Sequence, residues 1–232
     1  MFKLKALTSA ILFSTALTAT AGNLPTPSNS GVTGNYGDVD VNSETNISSD
    51  VEASNSNVFM NTHLMNGEAG DINMDTSLNV GSVHAESSSV LLEHTNSSSS
   101  SHGDFTRTSS LEVDDISAKN SSVTVNSFKS TNSSISGDLS IDFDTEVSNI
   151  DAYGSDVVIS TVGLQSISID GDASFSLTTD VDDVQAYGSD IAINKVGTLD
   201  ANYGQVEINS SVDMEDVRAC NSNVHIATVD IH

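Results

Sequence analysis

One ten-residue frame returns six times along this chain of 232 residues, and a period of that kind limits the fold more than any composition figure. The frame reads aliphatic-x-Ala-x-x-Ser-x-aliphatic-x-aliphatic. It begins at Val51, Val83, Ile116, Ile150, Val184 and Val217, in steps of 32, 33, 34, 34 and 33 residues. Alanine stands two places after each anchor, at Ala53, Ala85, Ala118, Ala152, Ala186 and Ala219. Serine stands five places after it, at Ser56, Ser88, Ser121, Ser155, Ser189 and Ser222. Glycine precedes five anchors by 13 residues, at Gly70, Gly103, Gly137, Gly171 and Gly204, and Gly37 precedes the first by 14. Asp follows the glycine in every copy but the last, where Gln205 stands.

Within a repeat, apolar and polar residues alternate over short runs such as Ile167-Ser168-Ile169 and Phe175-Ser176-Leu177. That period of two, with branched residues prominent, indicates short half-buried strands. Gly, Asn, Asp and Ser break the runs, as turn formers do. A single repeat has no core, whereas stacked copies bury one together. The expected fold is therefore all-β: a single-stranded β-solenoid over residues 37–232. Loose internal echoes, such as "VQAYGSDIAINKV" against "LDANYGQVEINSSV", suggest coils of about 17 residues, two per 33–34-residue repeat. Eleven or twelve such coils, at the strand spacing of about 4.8 Å, make a rod of about 55 Å.

The constant columns then take physical roles. Anchor aliphatics fill the interior, and the alanine sits where the tube narrows. The serine hydroxyl satisfies a backbone group at a corner. Gly-Asp forms a second corner, with glycine free to take positive φ and Asp bonding nearby amides. Arg107 breaks the pattern, because its column otherwise holds Val41, Met74, Ile141, Phe175 and Ile208. An unpaired buried arginine is very costly, so distortion is expected there. The weakest local order is expected in the polar stretch "HTNSSSSSHGDFTRTSS" around it.

Residues 1–21 read as a signal peptide: Lys3 and Lys5, an apolar run from Ala6 to Leu17, then Ala19-Thr20-Ala21 as a cleavage pattern. Residues 22–36 carry both prolines and read as a linker or N-terminal cap. No later run approaches 18 apolar residues, so no membrane-inserting helix is expected in the mature chain. The formal charge is −25, and removal of the two leader lysines leaves five basic against 32 acidic residues. Such a balance argues against nucleic acid as a partner and favours, at most, weak calcium binding by the acidic surface. A single cysteine, Cys220, forbids an intrachain disulfide.

Few residues suggest chemistry. The Gly-Asp carboxylates, at the two-coil spacing of about 9.6 Å, are too far apart to share a cation. Asp182 with Asp183, or Asp151 with Asp156, would have to supply further oxygens, and turn chemistry is the simpler role. The histidines share no offset and read as exposed polar residues; His84, Glu93 and His94 are the one group that can meet around a coil. No metal site, cofactor or catalytic residue is expected, because clustered acids in a cleft are missing from the pattern. Tyr153 and Tyr187, each following the constant alanine, form a candidate ligand strip, and Cys220 takes that place in the last copy.

The phrases "AYGSDVVISTV" and "AYGSDIAINKVGTLDANYGQVEI" resemble the Gly-Ser-Asp-aliphatic coils of bacterial adhesin-like β-helix domains. The likeness covers residues 147–232 well and 37–146 loosely. It lacks the second glycine of that family's turn at 154–156 and 188–190. It implies attachment work at the cell surface or outside the cell, with a matrix or host polysaccharide or protein as ligand; the periplasm is the other destination of an exported chain. A curli-like fibre or biofilm matrix subunit is the alternative, because the chain stops mid-repeat at "VHIATVDIH" and an open coil invites end-to-end self-association. A polysaccharide-acting enzyme ranks last.

Overall fold

The computed structural model describes residues 8–13, 17–23, 30–35, 37–47 and 50–231, the first three stretches as backbone only. Those three are strands: β1 (Thr8–Phe13), β2 (Leu17–Asn23) and β3 (Ser30–Asn35). The rest of the proposed leader and linker lies outside the described residues. Six coils follow. The first comprises β4 (Val39–Ile47) and β5 (Val51–Glu68), and the second β6 (Ile72–Val80), β7 (Val83–Glu86) and β8 (Ser89–His102). The third comprises β9 (Phe105–Lys119), β10 (Ser122–Thr131) and β11 (Ser134–Ile135). Then come β12 (Leu139–Tyr153) with β13 (Asp156–Ile169), β14 (Ala173–Tyr187) with β15 (Asp190–Asn202), and β16 (Val206–Cys220) with β17 (Asn223–Ile231). β1 lies parallel on β4, and β2 and β3 on β5.

All pairing is parallel and joins each coil to the next. Ile150 pairs with Val184 and Ala152 with Ala186 in the β12–β14 ladder, while Val157 pairs with Ile191 in β13–β15. The chain is thus the expected all-β solenoid, with about six turns spaced about 33 residues apart. The coil length differs from the expectation: one coil holds a whole repeat, not half of one. The half-repeat echo is real in sequence, but its two halves lie side by side within one coil. The constant offsets already carried the right period, because a stacked column must recur once per coil, and alanine, serine and glycine recur at 32–34 residues. At strand spacing, six turns make a stack of about 29 Å.

The wider coil encloses two apolar columns. One contains the anchors, the alanines and the aliphatics seven and nine places on, with Leu78, Leu111, Val147 and Val181 closing it. The other contains Ile72, Phe105, Leu139, Phe143 and Phe175, with Phe128, Val162, Leu164 and Val196 from the second half of the coil. Sharp bends let long strands wrap this interior. They fall at residues with positive φ, in columns Asn55, Ser87, Asn120, Gly154, Gly188 and Asn221, and Asn61, Glu93, Asn126, Ser160, Asn194 and Ala227. Asn, Asp and Gly tolerate that region best, which is why Asn recurs at these bends.

Candidate functional site

The Gly-Asp corner is a ladder of charge-assisted hydrogen bonds. Oδ1 of Asp38 accepts the amide of Asp71 at 3.3 Å, and Asp71 accepts that of Asp104 at 3.0 Å. Asp104, Asp138 and Asp172 accept the amides of Asp138, Asp172 and Gln205 at 2.9 Å each. Gly70, Gly103, Gly171 and Gly204 also donate to the glycine carbonyl below, as Gly103 does to Gly70 at 2.9 Å. The glycine requirement is steric. A Cβ on Gly70, Gly103, Gly137 or Gly171 would land on the aspartate carboxylate of the coil beneath, and none of these residues has positive φ, contrary to expectation. The carboxylates recur once per coil, at about 4.8 Å, not the 9.6 Å of a half-repeat coil. Among the described residues no group of three or more His, Cys, Asp or Glu side chains is placed to hold a metal ion.

The serine column is a relay. Ser155 Oγ donates to the Tyr153 carbonyl at 2.9 Å and accepts the amide of Ser121 at 3.1 Å. Ser88, Ser121 and Ser189 repeat both bonds with their own neighbours. Ser222 likewise accepts the Ser189 amide at 3.1 Å and donates to the Cys220 carbonyl at 3.0 Å, and Ser56 donates to the Ser54 carbonyl at 2.8 Å. From Ser88 to Ser222 each hydroxyl thus serves two backbone groups that the ladder leaves open at the bend, as the spacing suggested. The alanine column lies beside it and is buried from Ala53 to Ala186; Ala219, in the sixth coil, is exposed.

Tyr153 and Tyr187 are register partners, one coil apart. Their rings are exposed and stacked, with centroids 4.9 Å apart and planes at 8°. The separation equals the coil spacing, so the faces look along the axis at one another. Edges and hydroxyls are what the pair presents outward. Lys119 and Cys220 occupy the neighbouring positions of the column, and Lys119 Nζ meets Glu86 Oε1 at 3.1 Å. Cys220 is exposed and free.

Between the two apolar columns runs a buried polar seam that the sequence reading missed. Thr45 donates to Asn61 at 2.9 Å, and Asn126 donates to Thr145 at 2.9 Å. Ser160 bridges Thr145 and Thr179 at 2.9 Å each, and Thr179 reaches Asn194 at 2.6 Å. Asn194 Nδ2 donates to the Leu177 and Ser211 carbonyls at 2.8 and 2.9 Å. One side of the seam, Asn61, Asn126, Ser160 and Asn194, comes from the second bend column, ten places after each anchor. That constant offset was the available signal.

Arg107 belongs to this seam and does not distort its coil. It is fully buried and stays in register between Met74 and Ile141. Its guanidinium donates to the Ser127 and Glu93 carbonyls at 2.7 and 2.8 Å, lies 4.7 Å over the Phe143 ring, and has Glu93 Oε2 at 3.8 Å. Glu93 takes the seam position held by Asn61 and Asn126 in the adjacent coils, and Asn61 donates to its Oε1 at 2.5 Å. Burial raises the Glu93 carboxyl to about 7, against the pull of Arg107 and of bonds from Asn61 and Thr76. Burial likewise lowers Arg107 to about 10, with Glu93 opposing. The carboxylate Oε2 and Arg107 Nε lack hydrogen-bond partners, which marks the pair as costly to hold.

The polar stretch around Arg107 is strand on either side of Gly103-Asp104, and alternate small side chains face inward. Thr95, Ser97, Ser100 and Ser109 are buried, with Ser97 and Ser100 hydroxyls 2.5 Å apart. Three histidines also depart from the exposed reading. His63 and His102 are buried, and His94 is half-buried with Nδ1 2.6 Å from Ser127 Oγ. Burial lowers all three to about 4, and the Arg107 charge adds to the effect at His63 and His94. They are neutral imidazoles at neutral pH. His84 and His225 are exposed, so His84 does not join Glu93 and His94; His232 lies outside the described residues.

These columns define the class: a parallel β-solenoid with one repeat per coil and polar ladders at its bends. No family model matches the chain, and neither a curated protein nor a solved structure matches it.

Proposed function

We propose that this chain is an exported, non-catalytic structural protein of the cell surface or extracellular space, with adhesin-like attachment as its work. The observation that carries the reading is where the repeated chemistry goes. The Asp, Ser, Asn and Thr columns are spent on bonds between or within coils, so the repeat builds a stiff acidic stack. The leader pattern of residues 1–21 and the likeness to adhesin-like coils support export and attachment. The direct experiment combines cell fractionation with protease shaving of intact cells and an adhesion assay of a deletion strain. Surface-accessible chain and reduced attachment are expected; a chain confined to the cytoplasm sinks the proposal.

A fibre subunit is the second reading, favoured by the sixth coil. β16 and β17 pair with β14 and β15 beneath them, yet Val217 and Val229 are 45% and 50% exposed while Val184 and Val196 one coil below are 0% and 1%. A further coil stacked on that face, from a second copy in the fibre reading, would bury them. Electron microscopy of the purified mature protein after long incubation decides it, because persistent monomers remove the fibre.

A further inference from the structure

One outer face of the stack carries a groove of about 570 Å³ that the ladders do not use. Three in-register columns form it. Thr124, Val158 and Ala192 make one wall, Ser127, Thr161 and Lys195 follow, and Lys129, Gly163 and Gly197 make the third column. The two glycines are unlike those of the Gly-Asp corner. Neither has positive φ, and a Cβ on either would meet nothing within 4 Å. The fold therefore makes no demand for glycine at these positions, and glycine inside a strand often marks close approach by a ligand. Here it leaves a flat, open floor.

The charges around the groove are the second observation. Of the five cations beyond residue 21, three face a carboxylate: Arg107 with Glu93, Lys119 with Glu86, and Arg218 with Asp216. The other two, Lys129 and Lys195, have no ion pair among the described residues, and both line this groove. In a chain of net charge −25 they make the one outer patch where cations gather without partners. Asp230 is the single carboxylate of the lining, at one end. The lysines stand two coils apart, about 9.6 Å along the axis.

We propose that the groove binds an acidic oligosaccharide, with carboxylates on Lys129 and Lys195 and sugar faces laid over Gly163 and Gly197. A flat apolar floor beside scattered hydroxyls suits a pyranose, which is apolar on its faces and polar at its rim. An acidic peptide fits less well. β13 is paired on both sides, with β10 and β15, so it has no free edge for strand addition. The proposal deepens the attachment reading by naming its ligand class and site, and takes its biological setting from that reading.

The test is a titration of purified mature protein with oligogalacturonate of defined length, read by calorimetry and by amide shifts. A neutral maltooligosaccharide and an oligoglutamate peptide of matched length are run beside it. Saturable binding of oligogalacturonate is expected, with shifts at Gly163 and Gly197. Loss of charge-assisted bonds in the Lys129→Gln/Lys195→Gln variant weakens it by about tenfold or more. Gly163→Leu/Gly197→Leu, which the open space permits without refolding, abolishes it while circular dichroism stays unchanged. No saturable binding, equal binding of the neutral sugar, oligoglutamate binding as tightly, or indifference to both variants overturns the site. Cells displaying the groove variants separate the two ideas. If they attach as wild type does, the groove falls and the attachment reading stands; if the wild-type chain is never outside the cell, attachment falls while the titration still decides the groove.

Discussion

Replacing Arg107 with methionine, the residue its column holds one coil earlier, isolates the cost of a charge pair inside a solenoid. The single variant removes two bonds to backbone carbonyls, at 2.7 and 2.8 Å, and the only cation near Glu93. Breaking one side of a buried pair costs about 3–5 kcal/mol. The double variant Arg107→Met/Glu93→Asn rebuilds the seam of the first coil, where Asn61 stands in the bend and Met74 in the facing column one coil on. Replacing a whole buried pair is neutral or stabilising by about 1–4 kcal/mol, so most of the single-variant loss should return. Urea unfolding of the purified protein at pH 7 measures both. With an m-value of about 2–3 kcal/mol/M, the midpoint of the single variant falls by about 1–2 M and that of the double recovers. A single-variant loss below about 1 kcal/mol, or a double-variant loss equal to the sum of the two singles, refutes the reasoning.

The serine relay makes a sharper local claim: Ser155→Ala leaves the Ser121 amide without its acceptor, costing about 1–3 kcal/mol and speeding hydrogen exchange at that amide. The two glycine classes should separate cleanly. Gly137→Ala forces the Asp104 carboxylate aside and costs about 1–3 kcal/mol by overpacking, whereas Gly163→Ala stays within about 0.5 kcal/mol, both read from thermal or urea midpoints. Stability should depend on pH with two opposing arms. His63, His94 and His102 have folded values near 4, below their usual 6.5, so they bind fewer protons when folded and stability rises as pH climbs from 4 to 6.5. Glu93, raised to about 7, binds more protons when folded, so its contribution falls between about 4.5 and 7. Three groups outweigh one, which puts the maximum near pH 6.5, and Glu93→Asn should remove the decline above it.

The sequence made the repeat frame, the strand class and the corner bonds of serine and of the Gly-Asp aspartate visible, because each is a column that recurs at the coil period, while the glycine proved to be needed for space and not for positive φ. It misled on coil length, since half-repeat similarity is a local pattern and hydrogen bonding is decided by which residues stack. The seam was partly legible: Asn61, Asn126 and Asn194 share one offset, but the facing Thr45, Thr145 and Thr179 share their column with Leu78, Leu111 and Val212. Arg107 looked like an error because its partner is remote in sequence. Glu93 is the one acid in a column of Asn, Ser and Ala, and that coincidence of two charge substitutions in adjacent coils was the clue. The groove was invisible, since Gly163 and Gly197 resemble turn glycines until the space around them is known.

Cross-linking tests the one-repeat coil most directly. In a Cys220→Ser background, Asp151→Cys/Gln185→Cys places thiols on register partners 34 residues apart. Asp151→Cys/Ser168→Cys places them 17 apart, where a half-repeat coil would stack them. Stacked parallel partners at about 4.8 Å fall within disulfide range. Mild oxidation should link the 151/185 pair without lowering the unfolding midpoint and leave the 151/168 pair reduced; the reverse outcome contradicts the coil, its ladders and the groove built on it.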